Sequence, residues 1–386
     1  MNFGVLRKCF NHTLLQKCLS IESCRKLNST CTAIPLDHRG LIHVTGKDSS
    51  PFLQGLITND ITFLNVEHEH KTNALYSMIL NARGRVLYDM IVYRPMTDDH
   101  LNNDYLLEVS LNAVADIIRF FRKHKLRKNV DLIDVTQLYR IWSIFPNEPY
   151  MWNNLTNEDV REKLNFKTRD GLIIGHSDPR HYKLGIRIIT ERQTNISSLT
   201  DNCKEEQNIT LYKKWLYKNG VAEGTDDIPS AVAIPLEYNI VFLNGVSFSK
   251  GCYIGQELIA RTHHTGVVRK RIMPVKIDNY ATLANSFSST PSNDVEEKLD
   301  HEVDDETNKQ HELSIINVNT KRSAGKLRSH IENEGIALIR LNGWDNELRI
   351  QNGDVSIKPY IPSWWPPLDE ATKLEMRILD QKAVNS

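Results

Sequence analysis

The chain has 386 residues, 48 Lys and Arg against 48 Asp and Glu, and 40% apolar residues, a composition that excludes global disorder and predicts one or two core-bearing domains. No window approaches the roughly 18 uninterrupted apolar residues of a membrane span, so no transmembrane segment is expected.

Residues 1–32 carry Arg7, Lys8, Lys17, Arg25 and Lys26 against Glu22 alone. Phe3, Leu6, Phe10 and Leu14 mark one helical face with cations beside it, the pattern of a mitochondrial presequence, and the expected destination is the matrix. Its removal would leave 43 Lys and Arg against 47 Asp and Glu, a net charge of about −4 that does not favour a nucleic-acid partner. It would also take Cys9, Cys18, Cys24 and Cys31, leaving Cys203 and Cys252. Two cysteines are too few for a disulfide framework or a closed four-ligand zinc site.

Leu41–Thr45 reads as a strand, followed by a helix capped by Asp48 or Ser49, with Pro51 in its first turn, Phe52, Leu53 and Leu56 inward, and Asn59-Asp60 at its end. Ala74–Leu80 and Arg85–Tyr93 read as strands joined through Asn81-Ala-Arg-Gly84 as a hairpin. The period of two places Val86, Tyr88, Met90 and Val92 on one face of the second strand and Leu87, Asp89, Ile91 and Tyr93 on the other. Asp89, among apolar neighbours, either meets solvent at a sheet edge or lines a cleft. Ser110–Lys128 reads as a helix burying Val114, Ile118 and Phe121, its basic end suiting the negative helix terminus. Cys203, in a polar segment, reads as incidental.

The body of the chain is expected over residues 33–270. Strand-like runs at Arg271–Ile277 and near Ser314, Ala324, Ile336 and Ile350 predict a C-terminal β domain over 271–368. A Ser/Asn-rich and then acidic insertion, 279–312, interrupts it and has too few apolar residues to offset the entropy of ordering. Trp364-Trp365 reads as an aromatic clamp of the chain end, before a tail at 369–386. No 20-to-50-residue repeat is present.

The most informative stretch is Lys250-Gly251-Cys252-Tyr253-Ile254-Gly255-Gln256-Glu257. Two glycines let the backbone bend or approach a ligand closely. A cation two residues before the cysteine favours thiolate, and Gln256 and Glu257 are polar side chains that an inert buried cysteine does not require. His263-His264, read as part of a strand, would point to opposite faces and could not chelate one ion together. No His-Glu-x-x-His, Walker-type loop, Gly-x-Gly-x-x-Gly or Gly-x-Ser-x-Gly occurs, so zinc hydrolase, NTPase, dinucleotide and serine hydrolase readings lack support.

The octapeptide, with Pro235-Leu-Glu237 before it and Arg261–Arg271 after it, resembles the YgfZ-type branch of the aminomethyltransferase-like (glycine cleavage T-protein) superfamily, and in particular its mitochondrial Iba-type iron–sulfur cluster assembly factors. Gly46–Asp60, Asn81–Asp89, Ala324-Gly-Lys326 and Gly335–Arg340 agree with it. The resemblance implies an α+β, aminomethyltransferase-like folate-binding fold with a small C-terminal β-barrel-like domain. It implies maturation of [4Fe–4S] proteins with A-type iron–sulfur carriers and apo [4Fe–4S] enzymes as partners. Cys252 would be a metal ligand of an iron–sulfur cluster shared transiently with the carrier. The resemblance further implies tetrahydrofolate near Asp89, Asn59, Asp60 and Glu237. Folate-using transferases carry an Asp-Asp pair where this chain has Tyr88-Asp89, and they lack the Lys-Gly-Cys-Tyr motif. An assembly factor rather than a catalyst is therefore expected, with a folate-dependent one-carbon transferase as the alternative.

Overall fold

A computed structural model of the chain describes residues 31–64, 72–95, 104–147, 171–199, 203–265, 268–280, 313–351 and 354–366. Residues 1–30 of the expected presequence, most of the acidic insertion and the tail lie outside them. In chain order the elements begin with β1 (Cys31–Pro35), β2 (Arg39–Thr45), α1 (Ser49–Gln54), β3 (Ala74–Leu80), β4 (Val86–Tyr93), β5 (Tyr105–Ser110), α2 (Val114–Lys125), β6 (Asp131–Asp134) and β7 (Tyr139–Pro146). There follow β8 (Leu172–Ser177), β9 (Ile186–Glu191), α3 (Ile196–Leu199), β10 (Cys203–Glu205), α4 (Ile209–Lys218), α5 (Gly224–Asp227) and α6 (Gln256–Thr265). The last six strands are β11 (Lys270–Ile277), β12 (Leu313–Asn317), β13 (Ser323–Ile331), β14 (Glu334–Arg340), β15 (Leu348–Ile350) and β16 (Ser356–Pro359).

The chain divides into two compact units. The smaller one, residues 1–37 with 137–208, holds a sheet in the order β10-β1-β7-β9-β8. Ala33, Trp142, Ile144, Ile186 and Ile188 form its core with Ile196 of α3. On β9 the alternation places Arg187 opposite those isoleucines, where it meets the buried Asp178 at 3.4 Å beside Arg180 at 2.7 Å. Burial opposes the Asp178 charge, but the two guanidiniums hold its carboxyl below the ordinary range.

Two expectations change here. β1 begins at Cys31, so a domain start at residue 33 cuts into a strand whose Ala33 and Ile34 are fully buried. Cys203 is not incidental: parallel pairing of β1 with β10 sets it opposite Cys31, with the sulfurs 2.6 Å apart.

The larger unit, residues 38–136 with 209–386, carries the sheet β3-β4-β5-β2-β6, antiparallel throughout, and a closed barrel. The expected helix over 110–128 is shorter, because Ser110 still belongs to β5; α2 lays Val114, Ile117, Ile118 and Phe121 on the sheet. Burying side chains of this size contributes about 1.5–3 kcal/mol each. Phe121→Ala, which would also leave a cavity, should cost about 3–5 kcal/mol. The expected side-chain caps of α1 are not made. Asp48 accepts a hydrogen bond from the Asn129 N–H instead, and the Ser49 hydroxyl donates to the Gly46 carbonyl.

The barrel runs β11-β14-β13-β12-β15-β16 and closes on β11, which leaves no unpaired edge. Met273, Val275, Ile277, Ile315, Leu327 and Ile357 fill it, and the buried Trp365 joins them. Trp365 meets Phe242 edge-on at 5.6 Å, and Trp364 Nε1 donates to the Asn219 carbonyl, so the aromatic pair does clamp the barrel end. The insertion falls between β11 and β12.

Candidate functional site

The Lys-Gly-Cys-Tyr loop is held by its flanks. Lys250 is buried, and its ammonium donates to the carbonyls of Gln54 at 2.6 Å, Ile57 at 2.8 Å and Asn59 at 2.8 Å. An ammonium has three N–H donors, and all three are engaged, one by the last residue of α1 and two by the turn that follows it. Burial lowers Lys250 to about 8, with the Asp60 charge opposing. Lys250 is thus a clamp of the loop as well as a charge two residues before Cys252, and no N–H remains for a hydrogen bond to the thiol. The Lys250 charge also lies 4.9 Å from the Tyr253 ring centroid.

Beyond the cysteine, Tyr253 is buried and the Ile254 N–H donates to the Gly55 carbonyl. Gly255 has φ +80°, and a Cβ there would lie 2.5 Å from the Asn81 carbonyl oxygen. The octapeptide is thereby seated against the β3–β4 turn, which Asn81 organises by accepting the Arg83 and Arg85 N–H groups through its Oδ1. Gln256 and Glu257 begin α6, where an acidic first turn suits the helix dipole. The α6 backbone continues through His263-His264, so the strand reading of that pair is corrected.

Between these anchors Gly251 and Cys252 are exposed, and a Cβ on Gly251 would meet nothing within 4 Å among the described residues. Among the described cysteines Cys31 is buried, Cys203 half-buried and Cys252 exposed. The arrangement thus presents one thiol on a two-residue exposed stretch held rigidly at both ends.

The four residues named for folate divide among separate groupings. Asn59 spends both amide N–H donors on the Tyr76 and Asn244 carbonyls and accepts the Asp60 N–H, which ties it to the Lys250 clamp. Asp60 accepts from Gln54 and from the Thr62 N–H and hydroxyl. Burial raises its carboxyl, but those bonds and Lys250 leave it below its ordinary value. Asp89 is buried on the β4 face away from Met90 and accepts the Gly224 N–H at 3.1 Å. Glu237 is half-buried in a 3-10 turn, its carboxyl raised by burial against the pull of Lys270, Arg85, Arg328 and Arg340.

A polar cluster that sequence reasoning missed surrounds α5. Glu223 accepts from the Tyr212 hydroxyl, and Asp227 accepts from Tyr217 at 2.9 Å, Ser329 at 2.6 Å and the Glu223 N–H at 3.0 Å. Burial pushes Asp227 up to about 6 against those donors. A cavity of about 410 Å³ opens beside them, lined by His38, Ser110, Lys213, Glu223, Gly224 and Asp227. The available signal was the run Glu223-Gly-Thr-Asp-Asp227, three acids and a threonine between apolar residues.

Known proteins agree with this architecture. Residues 269–367 match the family model described as CAF17, C-terminal beta-barrel domain, which covers the closed barrel. The mouse protein named iron-sulfur cluster assembly factor IBA57, mitochondrial, is 32% identical over 342 residues, spanning 87% of this chain and 86% of its own length. The chain belongs to the IBA57 family. The human IBA57 is 28% identical over 373 residues, 90% of this chain and 92% of its own, and a homologue from Mycosarcoma maydis is 30% identical over 372 residues, 88% and 86%. The crystal structure of glycine cleavage system aminomethyltransferase T from Bartonella henselae superposes with a TM-score of 0.58 at 11% identity, over 88% of this chain and 87% of that one. An IBA57-family chain thus has the aminomethyltransferase-like fold expected from its sequence, and its barrel is closed.

Proposed function

We propose that this chain is a mitochondrial iron–sulfur cluster assembly factor that supplies Cys252 as one ligand to a cluster it shares with an A-type carrier during [4Fe–4S] maturation. The observation that carries the reading is the exposure of Cys252 between the buried Lys250 and Tyr253. Thiolates are the preferred ligands of iron–sulfur clusters, and four are usually required. Among the described residues no group of three or more His, Cys, Asp or Glu side chains is placed to hold a metal ion, so the cargo takes its remaining ligands from the partner. The basic N-terminal segment and the mitochondrial names of the relatives support the matrix, which is reducing enough to keep such a thiol available.

The test is anaerobic cluster reconstitution of the chain with an A-type carrier, read by visible absorption and Mössbauer spectra. Cys252→Ser should abolish the shared cluster, and Cys203→Ser should leave it. A wild-type cluster in Cys252→Ser, or none in wild type, overturns the reading.

The fold likeness to an aminomethyltransferase and the acid-lined cavity at Gly224 favour a second reading, binding of tetrahydrofolate with one-carbon transfer. Glu223, Asp227 and, through Gly224, Asp89 have carboxylates suited to the N–H groups of a pterin ring. Asn59 does not fit that role, since both of its amide donors are spent on carbonyls. Titration calorimetry with tetrahydrofolate on wild type and Asp89→Asn tests it. No heat with either protein removes folate, and equal affinity removes Asp89.

A further inference from the structure

One rim of the barrel gathers three arginines. The Leu341 N–H donates to the Arg269 carbonyl at 2.9 Å, while Lys270 pairs with Arg340 across β11 and β14. Gly325 pairs with Ile339 across β13 and β14, which carries Ser323 toward Leu341, and the Asn317 N–H donates to the Arg322 carbonyl at 3.0 Å. Adjacent strands lie about 4.8 Å apart, so Arg269, Arg340 and Arg322 stand on three neighbouring strand ends of one rim.

Their side chains line a cavity of about 950 Å³ together with Trp344, Asn342 and Ser323, and among the described residues no Asp or Glu lines it. Elsewhere on the barrel a half-buried arginine is neutralised locally, as Arg349 is by Glu347 at 3.0 Å. Arg340 also acts on the half-buried Glu237, which lies outside the lining. Three clustered guanidiniums repel one another until an anion is present, and the planar fork of each matches a phosphate with two parallel hydrogen bonds. Trp344 packs against the barrel core while lining the cavity, which gives a fixed aromatic ring for stacking. The volume lies in the range of about 300–1,000 Å³ usual for small-molecule sites.

We infer that this rim binds a small ligand with a diphosphate group and a flat ring, of the nucleoside diphosphate class. The three arginines take the phosphates and Trp344 takes the ring. The inference stands on the barrel alone and is independent of Cys252.

Calorimetry of the full chain with ADP, pyrophosphate and adenosine tests it. ADP should bind more tightly than pyrophosphate, and adenosine weakest. Arg322 and Arg340 are exposed, so Arg322→Gln and Arg340→Gln should keep the fold, checked by thermal unfolding. Each should weaken ADP about tenfold, the low end for a hydrogen bond to a charged group. Arg322→Lys should fall between, since it keeps the charge and loses the fork. Trp344→Leu should weaken ADP and leave pyrophosphate unchanged. No heat with ADP or pyrophosphate in wild type, or wild-type ADP affinity in both Gln variants, overturns the site. Equal affinity for ADP and pyrophosphate overturns the role of the ring.

Discussion

Gly84 and Gly255 each occupy the space the other's side chain would need. A Cβ on Gly84 would lie 2.9 Å from the Gly255 carbonyl oxygen and 2.4 Å from Leu258 Cβ, and one on Gly255 would lie 3.1 Å from Gly84 Cα. Both have positive φ, +75° and +80°. The β3–β4 turn and the cysteine loop therefore dock backbone to backbone. Gly255→Ala combines a left-handed penalty of about 1–2 kcal/mol with overpacking of about 1–3 kcal/mol, so it should lower stability by about 2–5 kcal/mol. Gly84→Ala should do likewise. Denaturant unfolding measures both, and losses under about 0.5 kcal/mol, the range of neutral surface changes, would mean that the turn and loop are not held together here.

The Lys250 ammonium gives a second expectation, in which structure and sequence reading part. If its role were to adjust the thiolate, Lys250→Ala would spare the fold and weaken only a cluster. With three carbonyls on its N–H groups, Lys250→Met should leave buried acceptors unmet, at about 1–3 kcal/mol for each. Chemical denaturation and proteolysis between Gln54 and Asn59 should both report the loss. A Met variant as stable as wild type would restore the electrostatic reading.

Much of this was legible before the fold was known, because the signals are local. The alternation from Tyr88 to Tyr93 placed Asp89 opposite Met90, and a Gly-containing turn at Asn81–Gly84 announced the hairpin. The alternation broke at Leu87, since a bulge at the Ile79/Leu80 step shifts the register and lets Leu87 and Tyr88 both reach the core. What was not legible depends on contacts distant in sequence. Nothing near Cys203 indicates that a strand 172 residues earlier brings Cys31 to it, and no local pattern shows that Lys250 points at carbonyls from 54–59. Asn59, named for a ligand, is a polar residue satisfied by Tyr76 and Asn244, and polar identity alone does not separate a latch from a site.

Acid should act on the smaller unit through His181. Its Nδ1 accepts the Lys183 N–H, which requires the neutral ring. Burial first, then Lys183, lower its pKa to about 4, with Asp178 opposing. The unfolded chain, titrating near 6.5, then binds the proton first as pH falls. Stability from this group is complete above about pH 6.5 and is lost progressively toward about pH 4, at most about 3 kcal/mol. His181→Asn keeps an acceptor for the Lys183 N–H without a proton to gain. Its stability should vary less than wild type between pH 6.5 and 4 in parallel denaturant titrations. Identical pH profiles for the two proteins would place the acid sensitivity elsewhere, at Asp178 first.

The last expectation separates a surface that docks a partner from a loop that merely folds. Gly251 differs from Gly255 although both flank Cys252: it is exposed, and an added Cβ would meet open space. Its missing side chain answers no contact within the described residues. Gly251→Leu should therefore leave unfolding free energy within about 0.5 kcal/mol of wild type. If Cys252 is approached closely by a carrier, the same leucine stands in that approach and should suppress the shared cluster, while Gly251→Ala suppresses it less. Parallel thermal unfolding and anaerobic reconstitution with the carrier give the two readouts on one protein. Normal stability with a lost cluster places the partner over Gly251 and Cys252. A full cluster yield in Gly251→Leu would show that the partner does not cover this residue, and the cysteine's exposure would then no longer support ligand sharing at that face.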